Sequence, residues 1–280
     1  MAREEKVLWI FFLLSLFLLP FGLFRSSLQP NLKKDFLIKF LSLSLPVLIL
    51  FFHAFLTLTP IRTIIFYLTA CLFGLVFEIL GLKFGTFFGG HYVYQLAGPR
   101  IYGVPLSVVV YWGVFIYTGY CFTTSLLYWL NADKPNYKEK NFWLLPVFVF
   151  LDGLIVVAID LFMDPLQVKA GNWAWLEGGP YFGVPVGNFI GWFTVAAAST
   201  IIFRSYEYFF PKENNKIGKS IFVIPIVWYA VIYLSLLVTS LKYQMTGLIL
   251  VGTLVMLIPI ILNFTLFLRW KTVIKLEERR

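Results

Sequence analysis

Apolar residues run along this chain in eight long blocks, at roughly 7–24, 35–57, 61–82, 104–130, 141–163, 186–209, 218–239 and 245–269. A helix that crosses a bilayer needs about 20 mainly apolar residues, and each block is close to that length. Together they use most of the chain, so no soluble domain fits in what remains. The pattern predicts an all-α polytopic membrane protein with seven to eight transmembrane helices, forming one integral membrane domain over 1–280. Any activity must then be built from helices and short loops.

The breaks between blocks are of two kinds. Those at 25–34, 131–140 and 210–218 are short, polar and basic, and read as plain connectors. Those at 83–103 and 164–185 are rich in Gly, Pro and aromatic residues, with few charges. These two also resemble each other. Gly90 to Trp112 reads GHYVYQLAGPRIYGVPLSVVVYW, and Gly171 to Trp192 reads GNWAWLEGGPYFGVPVGNFIGW. An aromatic-x-aromatic pair (Tyr92 and Tyr94; Trp173 and Trp175) precedes a Gly-Pro, then an aromatic-Gly-Val-Pro, then a tryptophan (Trp112; Trp192). One residue of gap aligns them, and an acid stands ahead of each, Glu78 and Asp160. A band of interfacial aromatics requires no fixed spacing, so the match predicts an internal repeat. Unit one is 61–130 and unit two 141–209, with two further spanning helices over 218–269. An even number of spans separates the units, which implies a parallel repeat about an axis along the membrane normal. The expected site lies between helices 3, 4, 5 and 6.

Composition supports the membrane assignment: 60% hydrophobic, 13% charged and mean hydropathy +0.83, where soluble domains carry about a quarter charged residues. The net charge of +9 does not indicate a nucleic-acid partner, because Lys and Arg sit at helix ends and in alternate loops. Fifteen fall on the side of the termini and eight on the other. The positive-inside rule therefore predicts a multi-pass cell-membrane protein with both termini cytoplasmic and the two aromatic loops on the opposite side. No small-x-small cleavage site follows the first apolar run, so a retained first helix is expected. Cys71 and Cys121 fall inside predicted helices and predict no disulfide.

The candidate chemistry lies in the intramembrane acids. Eight residues advance a helix by about 80° and four more by about 40°, so Asp152, Asp160 and Asp164 share one face. Each costs about 2.5–3.5 kcal/mol at a helix centre, although Asp164, at the end of its block, is expected near the interface. Glu78 lies at a depth matching Asp160. An interhelical hydrogen-bond network with Asn188 is one reading. The other is proton chemistry, since a carboxylic acid in a dry pocket keeps its proton near neutral pH and can donate it. His53 reads as a packed polar residue, and His91 as either an interfacial histidine or a member of the site. No metal-binding spacing, P-loop or nucleophile elbow is present, so no metal site is expected. Asp160-Leu-Phe-Met-Asp164 resembles part of the magnesium-diphosphate site of membrane prenyltransferases. Those enzymes need a second aspartate-rich cluster, and none is present.

The pattern Gly-Thr-Phe-Phe-Gly-Gly-His-Tyr-Val-Tyr…Gly-Pro…Gly-Val-Pro…Trp, followed by Asp160…Trp173-x-Trp175…Tyr181-Phe-Gly-Val-Pro-x-x-Asn188-Phe-x-Gly-Trp192, resembles the carotenoid biosynthesis membrane proteins. That family includes carotenoid 1,2-hydratase and the bisanhydrobacterioruberin hydratase of archaea. The resemblance covers roughly 61–265; residues 85–91 depart from the Thr-Gly-x-x-Phe-Gly-x-Tyr run associated with the family. It implies addition of water across the terminal 1,2 double bond of an acyclic carotenoid, giving a tertiary alcohol without a cofactor. The implied partners are the bilayer, the acyclic carotenoid and other carotenoid-pathway membrane enzymes. The residues suit this chemistry. Protonation of the alkene to a tertiary cation needs a carboxylic acid in a dry site, and aromatic faces stabilise the cation. Asp160 or Glu78 is expected to donate the proton, with the other as base or water-positioning group. Asp152 and Asp164 complete the acid set, Asp152 tuning the pair, and Asn188 helps place water. His91, Tyr92, Tyr94, Trp112, Trp173, Trp175, Tyr181 and Trp192 complete the expected lining. A proton-coupled small-molecule carrier or a carotenoid-binding scaffold stands as the alternative.

Overall fold

In the computed structural model each apolar block folds as a helix, and residues 3–28, 36–130, 142–211 and 219–277 are described. The helices are α1 (Arg3–Leu28), α2 (Phe36–Leu58), α3 (Pro60–Phe84), α4 (Leu106–Leu130), α5 (Leu145–Lys169), α6 (Val186–Phe209), α7 (Val223–Lys242) and α8 (Thr246–Glu277). Short 3-10 turns lead into α5 and α7. Among the described residues, the six helices from α3 onward are long and apolar enough to cross a membrane. Side chains of 17–40 and 42–43 and most of the three expected connectors lie outside the described residues. The chain is an all-α polytopic membrane protein.

Helix ends follow local chemistry. α3 starts with Pro60, whose missing N–H costs nothing in a first turn. It ends at Gly85, in the left-handed region at φ 67°, with its N–H bonded to the Gly81 carbonyl. α4 and α6 each begin directly after the proline of a Gly-Val-Pro run.

α5 runs six residues past the expected boundary at 163, through Pro165. A proline inside a helix deprives the carbonyl four residues back of its donor; here that is Leu161. The hydroxyl of Tyr181, from the following loop, donates to the Leu161 carbonyl at 3.0 Å. The helix therefore tolerates its proline, and Asp164 lies inside α5 rather than at its end. Tyr181→Phe leaves this carbonyl unpaired and is expected to cost about 1–3 kcal/mol, read as a lower thermal midpoint of the detergent-solubilised protein.

α4 packs against α3, α5, α7, α8 and α2, and is the most buried of the spanning helices. α8 reaches α5 closely at Gly252, where the Phe162 ring leaves no room for a Cβ. An aromatic core of Phe66, Tyr117, Tyr120 and Phe203 joins α3, α4 and α6, with Phe66 and Phe203 ring centroids 4.8 Å apart. Beside it His53 is packed in the interior, its Nδ1 2.7 Å from the Tyr117 hydroxyl and its Nε2 3.2 Å from the Ile221 carbonyl. Both cysteines are free.

The two aromatic loops meet. β1 (Tyr92–Tyr94) pairs antiparallel with β4 (Trp173–Trp175), with Tyr92 opposite Trp175, Val93 opposite Ala174 and Tyr94 opposite Trp173. Bonds from Gln95 N to Asn172 O and from Leu176 N to His91 O extend the ladder at 2.8 Å each. This register maps each segment onto the other by a local twofold through Val93 and Ala174. β2 (Arg100–Ile101) and β3 (Val104–Pro105) close a hairpin over Tyr102 and Gly103, at φ 48° and 89°. In the second loop Tyr181 bridges Val184 over Phe182 and Gly183, at φ 51° and 89°. Two central residues at positive φ mark the tight turn that matches strand twist. The aligned segments thus share one backbone path. α3 and α5 both end, and α4 and α6 both begin, at this layer of paired loops.

Candidate functional site

Glu78 sits in α3, two turns before its glycine cap, and is 3% exposed. Side chains two apart on a strand point the same way, so Tyr92 and Tyr94 of β1 converge on it. Their hydroxyls donate to Glu78 Oε2 at 2.6 and 2.8 Å, and Trp112 Nε1 donates to Oε1 at 3.1 Å. Burial first, and then the neighbouring Glu78, push both phenols well above the usual tyrosine range, so they remain donors. The Glu78 carboxyl group is thus held by three donors.

The second loop's acids are arranged differently. Asp160 and Asp164 lie one turn apart on α5, 0% and 2% exposed. Asn188, in the first turn of α6, spans them: its Nδ2 donates to Asp160 Oδ2 at 2.8 Å and to Asp164 Oδ2 at 2.7 Å. The remaining oxygen of each, Oδ1, is buried without a hydrogen-bond partner among the described residues. A buried polar atom left unpaired costs on the order of 1–3 kcal/mol. Two such atoms on neighbouring carboxyls are therefore satisfied by each other when one carboxyl keeps its proton and donates to the other.

Both clusters border one cavity of about 500 Å³, within the usual range of small-molecule sites. Its wall includes Glu78, Asp164, Tyr92, Tyr94, Trp112, Trp173, Trp175, Asn188 and Trp192. Asp160 stands behind Asp164, off the wall. Trp112 and Trp192, matched in the two aligned segments, pack against each other at a 35° tilt with ring centroids 4.2 Å apart. Trp175 is fixed by its Nε1 donating to the Phe88 carbonyl at 2.9 Å and by contact with Tyr92. The wall is thus mainly aromatic, with acids at two places.

Three expected members lie elsewhere. His91 is exposed, its ring packed over Gly85 rather than facing the cavity. Tyr181 braces α5 at Leu161, as above, and does not line the wall. Asp152 is separated from Asp160 by two turns and is paired with Arg204, whose Nε and Nη2 donate to its two oxygens at 2.6 and 2.8 Å. Arg204 also lies over the Tyr120 ring, 4.6 Å from its centroid. The Tyr120 hydroxyl donates to Glu207, which faces Arg62 at 4.0 Å, and Arg62 donates to the Phe210 carbonyl. This network ties α3, α4, α5 and α6 together away from the loop end, and gives Asp152 a partner of its own.

The cavity also extends beyond the expected four helices. Pro46 and Leu50 of α2 and Trp228, Val231, Ile232, Ser235 and Leu236 of α7 complete its wall, with Tyr111 and Phe115 of α4. Nothing in the sequence pattern of α2 or α7 distinguishes these from lipid-facing residues. Gln167 and Asn172, also on the wall, were open to detection, since Gln167 follows Asp164 by three residues on the same face.

The model of a family described as carotenoid biosynthesis protein matches residues 39–259. No curated protein and no solved structure matches the chain.

Proposed function

The chain belongs to the carotenoid biosynthesis protein family, and from that premise we propose that it is a hydratase adding water across the terminal 1,2 double bond of an acyclic carotenoid. The observation that carries this reading is the placement of a solvent-shielded acid pair and a separately held carboxyl group on one aromatic cavity within the membrane-spanning helices.

Asp164 faces the cavity and is the proton donor. Two neighbouring carboxyls bridged by one amide resist double ionisation, because like charges in a dry site repel. Asp160 therefore shares the proton through the Oδ1 atoms, and Asn188 fixes the geometry. Transfer of that proton to C2 of the end group breaks the π bond and leaves a tertiary cation at C1. The Glu78 carboxylate and the faces of Trp112 and Trp192 stabilise that charge. Water then bonds to C1 and its surplus proton passes to Glu78. Tyr92, Tyr94 and Trp112 position Glu78 for this step, and solvent exchange resets both acids. In this reading the protein sits in the cell membrane with both termini cytoplasmic, from the bias of Lys and Arg between the two sides.

Expression in cells that accumulate an acyclic C40 or C50 carotenoid tests the assignment. The expected result is a mass gain of one water per reacted end. Unchanged pigment with altered uptake of a small molecule would instead support a carrier.

A further inference from the structure

The cavity wall has two chemically different parts. Towards the paired loops it carries Ser107, Gln167 and Asn172. Ser107 is exposed and the other two are half-buried, so this part reaches the protein surface. Asn172 Nδ2 donates to Gln167 Oε1 at 2.5 Å. Asp160, Asp164 and Gln167, at steps of four and three, form one polar stripe down α5. At its inner end stands the Asp160–Asp164 pair, with both Oδ1 atoms buried. A separate part of the wall is built by α2 and α7, from Pro46, Leu50, Trp228, Val231, Ile232, Ser235 and Leu236, apolar but for Ser235.

Water enters a buried site at low cost only where it finds about two to four polar partners. Neighbours on one helix face lie about 5–6 Å apart, a gap that one bridging water closes. The stripe supplies such partners in series from the surface to the acid pair, whereas the α2–α7 part supplies apolar surface that favours a hydrocarbon. We propose that Gln167 and Asn172 form the port through which water reaches the acid pair, while the polyene chain occupies the part lined by α2 and α7. This rests on the hydratase reading, and it assigns the two residues to positioning the nucleophile, apart from proton donation. Loss of the port leaves the cation formed but uncaptured. Its exits are then return of a proton from C2 to the acid, which regenerates the alkene, or loss of a proton from a C1 methyl, which gives its isomer.

Turnover in deuterated water separates the two steps. The purified full-length protein is given an acyclic carotenoid, and mass spectrometry follows both hydrated product and deuterium at C2 of recovered substrate. In the wild type hydration dominates. In Gln167→Leu, hydration is expected to fall about tenfold, the size of one lost hydrogen bond to the water, while deuterium in recovered substrate rises. Asn172→Leu, which changes a half-buried loop side chain, is expected to give the same partition should Gln167→Leu not fold. Gln167→Glu keeps an acceptor for Asn172 and is expected to restore hydration. Unchanged hydration in both leucine variants, or an equal fall of hydration and deuterium exchange, overturns the port alone. A wild-type protein that hydrates nothing overturns the hydratase reading and the port with it.

Discussion

Asp164→Asn is expected to lower carotenoid hydration by about a hundred- to ten-thousand-fold, the usual contribution of a positioned general acid, with little loss of stability. The substitution is nearly isosteric, and the new amide oxygen still accepts from Asn188 in place of Asp164 Oδ2. What it removes is the acidic proton at the cavity wall. Asp160→Asn is expected to act in the same direction, by removing the partner that shares the proton. Glu78→Gln also stops product formation, but for a mixed reason. Its amide NH₂ would face one of three donors now aimed at Glu78, so stability falls together with activity. Hydrated product per hour, set against thermal midpoint, distinguishes these cases. Full activity in Asp164→Asn would move the donor role to Asp160 or Glu78. Full activity in all three variants would sink the acid mechanism.

The second large effect concerns folding. Arg204→Leu leaves Asp152 charged and unpaired at 0% exposure, and removing one partner of a buried ion pair costs about 3–5 kcal/mol. Most of that protein is expected to be lost during solubilisation, with a strongly lowered thermal midpoint in the remainder. Arg204→Lys is a poor rescue, because an ammonium cannot reproduce the two-pronged contact with Asp152. Asp152→Leu combined with Arg204→Leu removes both charges and is expected to recover most of the stability. A double-mutant cycle on the solubilised protein measures the difference. If Arg204→Leu unfolds no more easily than wild type, the network does not hold the four helices together.

The eight helices were legible because hydrophobic blocks of this length have few other uses, and the partnership of the two loops was legible in their spacing. Glu78, Asn188 and the four loop aromatics, which border the cavity, stand out in the sequence because intramembrane acids and matched aromatics are costly or unusual. Asp164 was misplaced for a physical reason. Pro165 signals a helix end in sequence, and the hydroxyl that lets the helix continue comes from Tyr181, sixteen residues further on. Asp152 was grouped with Asp160 because both share a helix face. Its partner lies on α6: Arg204, like Arg62, belongs by sequence to the fifteen basic residues on the side of the termini. Both arginines are instead buried in ion pairs. The contribution of α2 and α7 to the cavity depends on how helices pack, which no local periodicity encodes.

The ladder between β1 and β4 carries a mechanical consequence. It joins the loop following α3 to the loop following α5 by backbone bonds, so the two helix pairs are shackled at that end. Rocking of one pair against the other, the motion by which paired-repeat carriers expose a site alternately to each side, would have to break those bonds or pivot about them. A pivot there would open the far end, where Arg204, Asp152, Tyr120 and Glu207 bolt the same helices together. With one end shackled and the other bolted, the frame resists the rocking that alternating access requires and is suited to a fixed site rather than to passing cargo through.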